Sequence, residues 1–161
     1  MVGVVTLDLK KAFDTIDLDI LIQKLKRYGV DKNGIYWFRS YLKGRSHYTT
    51  INWKSSSFHK VSCGIPQGST VGPLMFTIYI NDLPLHVAHC KVGMYADDSA
   101  LFYDSKDESD LIDKINKDMT RVMDLLNQNK LSLNIEKTEF ILLGTKSKFW
   151  SQQVAYQNKQ A

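Results

Sequence analysis

Cysteine is scarce in this chain. Cys63 and Cys90 are the only two among 161 residues, and no Cys-x-x-Cys spacing links them. That argues against a disulfide framework and a zinc site, and it suits a reducing compartment. The expected setting is intracellular, nuclear or cytoplasmic, and not secreted. No secretory leader is visible, because Met1-Val2-Gly3-Val4-Val5 runs straight into Asp8, Lys10 and Lys11. Long apolar runs are missing as well. The longest, Val71 to Ile80, is too short to cross a bilayer, so no membrane partner is expected. His47, His59, His86 and His89 have neither metal-ligand spacing nor a nucleophile partner, which removes a Ser-His-Asp reading. There is no internal repeat and no linker strong enough to divide the chain. Glutamate is absent from the first 60 residues, where eleven Lys and Arg face five Asp for a net +6; residues 61–161 carry a net −2. A basic first portion beside an acidic site suits a polyanion whose phosphates react. Plain solubilisation of helix surfaces explains any single basic residue about as well. A hydrophobic share of 43% is enough for one packed domain.

Hydrophobic periodicity then sets out the elements. Val2 to Leu9 reads as a strand. Asp14 or Asp17 is placed to cap a helix over Leu18 to Tyr28, with Gly29 as its stop. Asp31 caps a second helix, Lys32 to Lys43, ended by Gly44. Arg45 to Trp53 and Phe58 to Ser62 read as a hairpin joined through Lys54-Ser55-Ser56-Ser57. A turn-rich loop, Gly64-Ile65-Pro66-Gln67-Gly68-Ser69, follows. Val71 to Asn81 is apolar almost all round and is expected to be a buried helix, with Pro73 in its first turn and Pro84 helping to end it. Glu108 to Asn129 is a long amphipathic helix, and Leu131 to Ile135 and Thr138 to Leu143 read as strands separated by Glu136-Lys137. The order predicts an α+β domain, an antiparallel sheet with helices packed on one face. In that layout the first strand can lie beside the hairpin around residues 95–98 and bring Asp8 to it.

Tyr95-Ala96-Asp97-Asp98 carries the sharpest chemical signal. Apolar residues on both sides of a short polar tip make it a hairpin turn. Two adjacent carboxylates repel and resist full ionisation unless a cation neutralises them, and hard oxygen ligands of this kind suit magnesium. A solvated Asp-Asp turn is the plain alternative. With Asp8, three carboxylates can hold two divalent ions that clamp the attacking and leaving oxygens of a phosphoryl transfer.

Four segments, in order, resemble the palm of a reverse transcriptase of the non-LTR (LINE-like) retrotransposon family. Leu7-Asp8-Leu9-Lys10-Lys11-Ala12-Phe13-Asp14 resembles its first metal-binding strand. The loop at 64–69, with Gly72-Pro73-Leu74 and Tyr79-Ile80-Asn81-Asp82-Leu83-Pro84, resembles its nucleotide-binding loop and helix. Tyr95-Ala96-Asp97-Asp98 resembles its catalytic hairpin, and Asn134-Ile135-Glu136-Lys137-Thr138-Glu139 the segment that closes the palm. The resemblance implies a polymerase palm fold and RNA-directed addition of deoxynucleotides (dNTPs) to a DNA primer on an RNA template. It implies two Mg2+ ions, with Mn2+ as a substitute. Asp8, Asp97 and Asp98 would be the metal ligands, with an oxygen added by the Leu9 carbonyl. Phe13 would contact the sugar and exclude a 2′-hydroxyl, or be an ordinary core ring. Gln67 and Gly68 would flank the incoming nucleotide, or form a plain turn. Tyr95 would pack under the hairpin near the primer end. Lys137 would donate a proton to pyrophosphate, or be a solvated turn lysine.

The sequence also departs from the family. Basic finger strands would precede Asp8, and a primer-gripping hairpin and thumb would follow Leu143. The expectation is therefore a palm core over residues 1–145, with fingers and thumb largely missing, and a frayed polar tail over 146–161. Weak or no activity of the isolated chain follows. Leu18 stands where many relatives carry His. Two alternatives remain beside the polymerase: a non-catalytic remnant or nucleic-acid-binding module, and another palm-type two-metal enzyme such as a nucleotide cyclase or nuclease.

Overall fold

Val2–Leu7 forms a strand, β1, whose residues alternate between partly exposed and buried. That alternation is what a sheet covered on one face requires. In the computed structural model, which describes residues 1–144, β1 is an inner strand of a four-stranded antiparallel sheet. Its neighbours are β7 (Asp98–Asp104) and β8 (Glu139–Leu143), and β6 (Lys91–Tyr95) lies outside β7, giving the order β6-β7-β1-β8. Val5 and Leu7 of β1 and Leu101 of β7 point into the core.

The helices complete that core. α1 (Leu18–Arg27) is capped by Asp17, whose carboxylate accepts the N–H groups of Asp19 and Ile20; α2 (Lys32–Leu42) is capped by Asp31. These caps satisfy donors that helix geometry leaves without partners. Asp17 also accepts a hydrogen bond from Lys130 Nζ at 2.6 Å, and that bond leads the effects that hold its carboxyl below the usual carboxylate range. α5 (Glu108–Gln128) lays Leu111, Ile115, Met119, Val122, Leu125 and Leu126 against the sheet. Each such side chain contributes about 1.5–3 kcal/mol by leaving water. The approach is close at Gly3, where an added Cβ would lie 2.6 Å from Ile115 Cδ1.

Asp118 lies on the same buried face of α5 and has no solvent exposure. Its carboxylate accepts the backbone N–H groups of Ala88, His89 and Cys90 at 3.0, 2.7 and 2.7 Å, and Arg121 at 2.8 Å. Burial alone would raise its pKa. The three amides and the guanidinium outweigh burial and bring it down to about 2.

Several sequence expectations give way. The helix expected to be buried all round is α3 (Gly72–Ile80), but only one side of it is covered. Met75, Phe76, Tyr79 and Ile80 are buried, whereas Leu74 is 58% exposed. Apolar composition reports hydrophobicity, not what lies opposite. Pro84 does not end that helix; it sits in the first turn of a further short helix, α4 (Leu83–His86). Residues 131–135 form no strand. They make one isolated bridge, Leu9 to Leu133, and a turn follows. The hairpin expected to turn at 54–57 turns instead at Asn52-Trp53, both with positive φ. β3 (Thr50–Ile51) therefore pairs with β4 (Lys54–Ser55), and β2 (Ser46–His47) with β5 (His59–Lys60). Residues 46–60 of this arm are exposed throughout. Leu18 is buried in the first turn of α1. The tail expected at 146–161 lies outside the described residues.

Candidate active site

The β1–β7 ladder pairs Val2 with Asp104 and runs to Leu7 opposite Ser99. One step further along both strands stand Asp8 and Asp98. Opposed residues of an antiparallel pair point to the same face. Leu7 and Ser99 are buried on the helix side, so alternation sends Asp8 and Asp98 to the other, open face. The hairpin returns through Ala96, whose φ is +53°, and Tyr95 pairs with Asp98. Asp97 occupies the turn and is exposed. The fold thus carries an acid near the amino terminus to the end of the strand that holds Asp98. Among the described residues, no three His, Cys, Asp or Glu are gathered as a metal-binding group.

Asp8 is held from the other side. Asn134 Nδ2 donates to Asp8 Oδ2 at 2.8 Å, and the Asn134 backbone N–H donates to the Asp8 carbonyl at 2.8 Å. Lys10 N donates to Ser132 O at 2.8 Å, so the two bonds flank Leu9 and use neither its amide nor its carbonyl. Lys137 lies three residues past Asn134 in an exposed turn, its N–H on the Asn134 carbonyl at 3.2 Å. Tyr95 is not packed beneath the hairpin; it stands 82% exposed on the open face.

The loop at 64–69 docks on the segment after Asp8. Gly64 N donates to Ile16 O and Ile65 N to Phe13 O, at 2.8 and 2.9 Å. Gly64 has φ +78°, and a Cβ there would lie 2.6 Å from the Asp14 carbonyl oxygen. Only glycine fits such an approach. Gln67 Nε2 donates to Asp14 Oδ1 at 2.9 Å, and Gly68 turns with φ +74° and open space around it. Phe13 is half-buried and stacks on Phe76 of α3, with ring centroids 4.8 Å apart. Its ring therefore belongs partly to the core and partly to the surface.

Asn134, Asp14 and Asp118 are the residues whose parts sequence reasoning missed. Asp118 had a signal: a charge at the helical spacing of Leu111, Ile115 and Val122 lies on the buried face. Asn134 and Asp14 had none, because their partners are distant in sequence or set by loop docking.

An antiparallel sheet with helices on one face and acids at the end of the other is a palm-like fold. A family model described as reverse transcriptase (RNA-dependent DNA polymerase) matches residues 2–157, and the chain belongs to that family. The chain is similar to the RNA-directed DNA polymerase from mobile element jockey of Drosophila melanogaster, 30% identical over 107 residues, taking in 62% of this chain and 12% of that protein. It is similar to the probable RNA-directed DNA polymerase from transposon BS of the same species, 34% identical over 114 residues, or 63% of this chain and 12% of that protein. For the probable RNA-directed DNA polymerase from transposon X-element, also of that species, the values are 28% over 142 residues, 82% of this chain and 15% of that protein. The resemblance to non-LTR retrotransposon polymerases stands on these relatives, of which the chain spans a small part.

Among solved structures, telomerase from Candida tropicalis in complex with a TWJ fragment of telomeric RNA superposes with a TM-score of 0.67 at 14% identity, over 87% of this chain and 26% of that one. Apo telomerase of the same species, truncated from its C-terminal domain, gives 0.65 at 14%, over 87% and 30%. At that identity the likeness is one of fold. No described helix is long and apolar enough to cross a membrane.

Proposed function

We propose that this chain is the palm of an RNA-directed DNA polymerase, adding deoxynucleotides to a primer 3′ end on an RNA template. The observation that supports it most is the β1–β7 register, which takes Asp8 and Asp98 to the same end and face of the sheet. The implied cofactors are two divalent ions, Mg2+ or Mn2+. The donor set fits them: Asp8 and Asp98 offer hard carboxylate oxygens, Asp97 stands one residue away, and no sulfur or imidazole competes among them. Mg2+ takes one or two carboxylates and completes its shell with water and substrate phosphates. When bound, such ions supply neutralisation of the charge that builds on the attacking and leaving oxygens.

The chain's own residues do the rest. Asp8, Asp97 and Asp98 would hold the cations, and the Leu9 carbonyl, which accepts no backbone hydrogen bond among the described residues, would add an oxygen. Phe13, steadied by Phe76, meets the sugar and disfavours a 2′-hydroxyl. Gln67 keeps its amide oxygen free while its nitrogen is anchored on Asp14, and Gly68 lets the backbone approach the nucleotide. Tyr95 offers its exposed ring to the primer end. Lys137 passes a proton to the departing pyrophosphate. The setting is intracellular.

The test is extension of a labelled primer on an RNA template by the full chain in Mg2+. A weak signal is expected, lost in Asp97→Ala because a carboxylate that would hold the charge-neutralising cation is gone. Extension that survives this substitution would falsify the proposal. A second reading, a non-catalytic nucleic-acid-binding module, is favoured by the lack of a gathered three-acid group among the described residues. Salt-dependent primer–template binding with no incorporation at all would establish it instead.

A further inference from the structure

We propose that Asn134 is a positioning residue that orients the Asp8 carboxylate toward a divalent cation through a neutral hydrogen bond. This rests on the polymerase reading above. Asn134 reaches Asp8 twice. Its backbone N–H ties the Asp8 carbonyl, and its side-chain amide holds Oδ2 at 2.8 Å. One carboxylate oxygen is thereby fixed, and Oδ1 is left for another partner.

The donor itself is held. The Asn134 carbonyl accepts from Lys137 N, Thr138 N and Thr138 Oγ1, at 3.2, 2.9 and 2.9 Å. Leu131 and Leu133, just before it, are buried and pin the segment against the core. The amide is therefore delivered by a locked turn and not by a free side chain.

The donor is also neutral. Among the described residues, Asp17, Asp19, Asp82, Asp113 and Asp118 are paired with Lys or Arg at 2.6 to 2.9 Å, whereas Asp14 takes the Gln67 amide. Asp8 has no such cation and takes an amide. A basic partner would neutralise the carboxylate and compete with a metal ion for it. An amide orients the group and leaves its full negative charge available. Hydrogen-bonding partners of metal-ligating carboxylates act in this way, and losing one costs roughly 10–100-fold in metal affinity or activity.

Asn134→Ala removes the side-chain bond and keeps the backbone one, so the fold should survive. The control is Thr120→Val, which removes an exposed hydroxyl that bonds the Asn116 carbonyl within α5 and touches neither Asn134 nor Asp8. The full chain is titrated with Mn2+ in the presence of an RNA–DNA primer–template, following the free-ion signal by electron paramagnetic resonance. Asn134→Ala is expected to raise the Mn2+ dissociation constant about tenfold, with Thr120→Val at the wild-type value and Asp8→Ala losing the site. In primer extension, the Mg2+ concentration for half-maximal rate should rise by the same factor while the KM for deoxynucleotide stays unchanged. Wild-type Mn2+ affinity in Asn134→Ala, beside a lost site in Asp8→Ala, overturns the positioning role alone. A wild-type chain that takes up no Mn2+, or an Asp8→Ala chain that takes up as much as wild type, removes the metal reading itself and this proposal with it.

Discussion

Replacing Asp118 by Asn keeps shape and removes charge at the point where α5 holds the segment leading into β6. The native carboxylate accepts three backbone N–H groups and a guanidinium with no exposure to water. The carboxamide offers one acceptor oxygen and turns an NH2 toward groups that also donate. A buried donor left without a partner costs about 1–3 kcal/mol, and loss of charge-assisted bonds adds to that. A loss of about 3 kcal/mol at pH 7 is expected, measured by urea unfolding with circular dichroism. The pH dependence is a sharper test. The pKa falls from 3.8 in the unfolded chain to about 2 in the folded one. A depressed carboxylate stabilises fully above its unfolded value, and that stability is lost as pH falls through the folded value. At about 1.4 kcal/mol per unit, the full linkage is about 2.5 kcal/mol, of which about 2 is lost by pH 2. Asn cannot titrate, so the gap between wild type and Asp118→Asn should narrow by about 2 kcal/mol as pH falls from 5 toward 2. A gap within 0.5 kcal/mol at pH 7, on the order of an ordinary surface change, or one that stays constant with pH, refutes this account.

Two further outcomes follow from the same geometry. Cys63 is exposed, whereas Cys90 is buried and its thiol is pushed up to about 12, by burial first and then by Asp118. A thiol reagent at pH 8 should therefore show one fast and one protected cysteine, at least about a thousandfold apart in rate, because only the thiolate reacts. A single fast phase for both contradicts the burial of Cys90. Gly64→Ala places a methyl group 2.6 Å from the Asp14 carbonyl at φ +78°. Thermal unfolding should report a loss of about 2 kcal/mol or more, and an unchanged melting temperature would mean that the loop does not dock on residues 13–16.

Much of this protein was readable in its residues. Helical spacing located α1, α2 and α5 within a residue or two, with Asp31 marking the start of α2 and Asp14 or Asp17 that of α1, because those signals are local. Apolar alternation located β1 and the strands around Asp97. The acids, the loop at 64–69 and the segment at 134–139 pointed to a reverse transcriptase palm by their order, and family membership and fold agree. The failures share a cause. Residues 131–135 have the alternation of a strand, yet β8 takes the place beside β1, and only Leu133 forms a bridge. α3 is apolar throughout, yet nothing among the described residues covers Leu74. In both places the outcome depended on what lay opposite.

The sequence by itself determined α1, α2 and α5, the cap of α2, the hydrophobic faces and the chemical types available to a site, since each follows from neighbours a few positions apart. Tertiary structure alone decided that Asp8 meets the end of β7, that Asn134 grips Asp8 across 126 positions, and that Asp118 is the buried anchor of the segment before β6. Those contacts are set by strand register and by which groups a closed core leaves without water, and neither is encoded within any short stretch of chain.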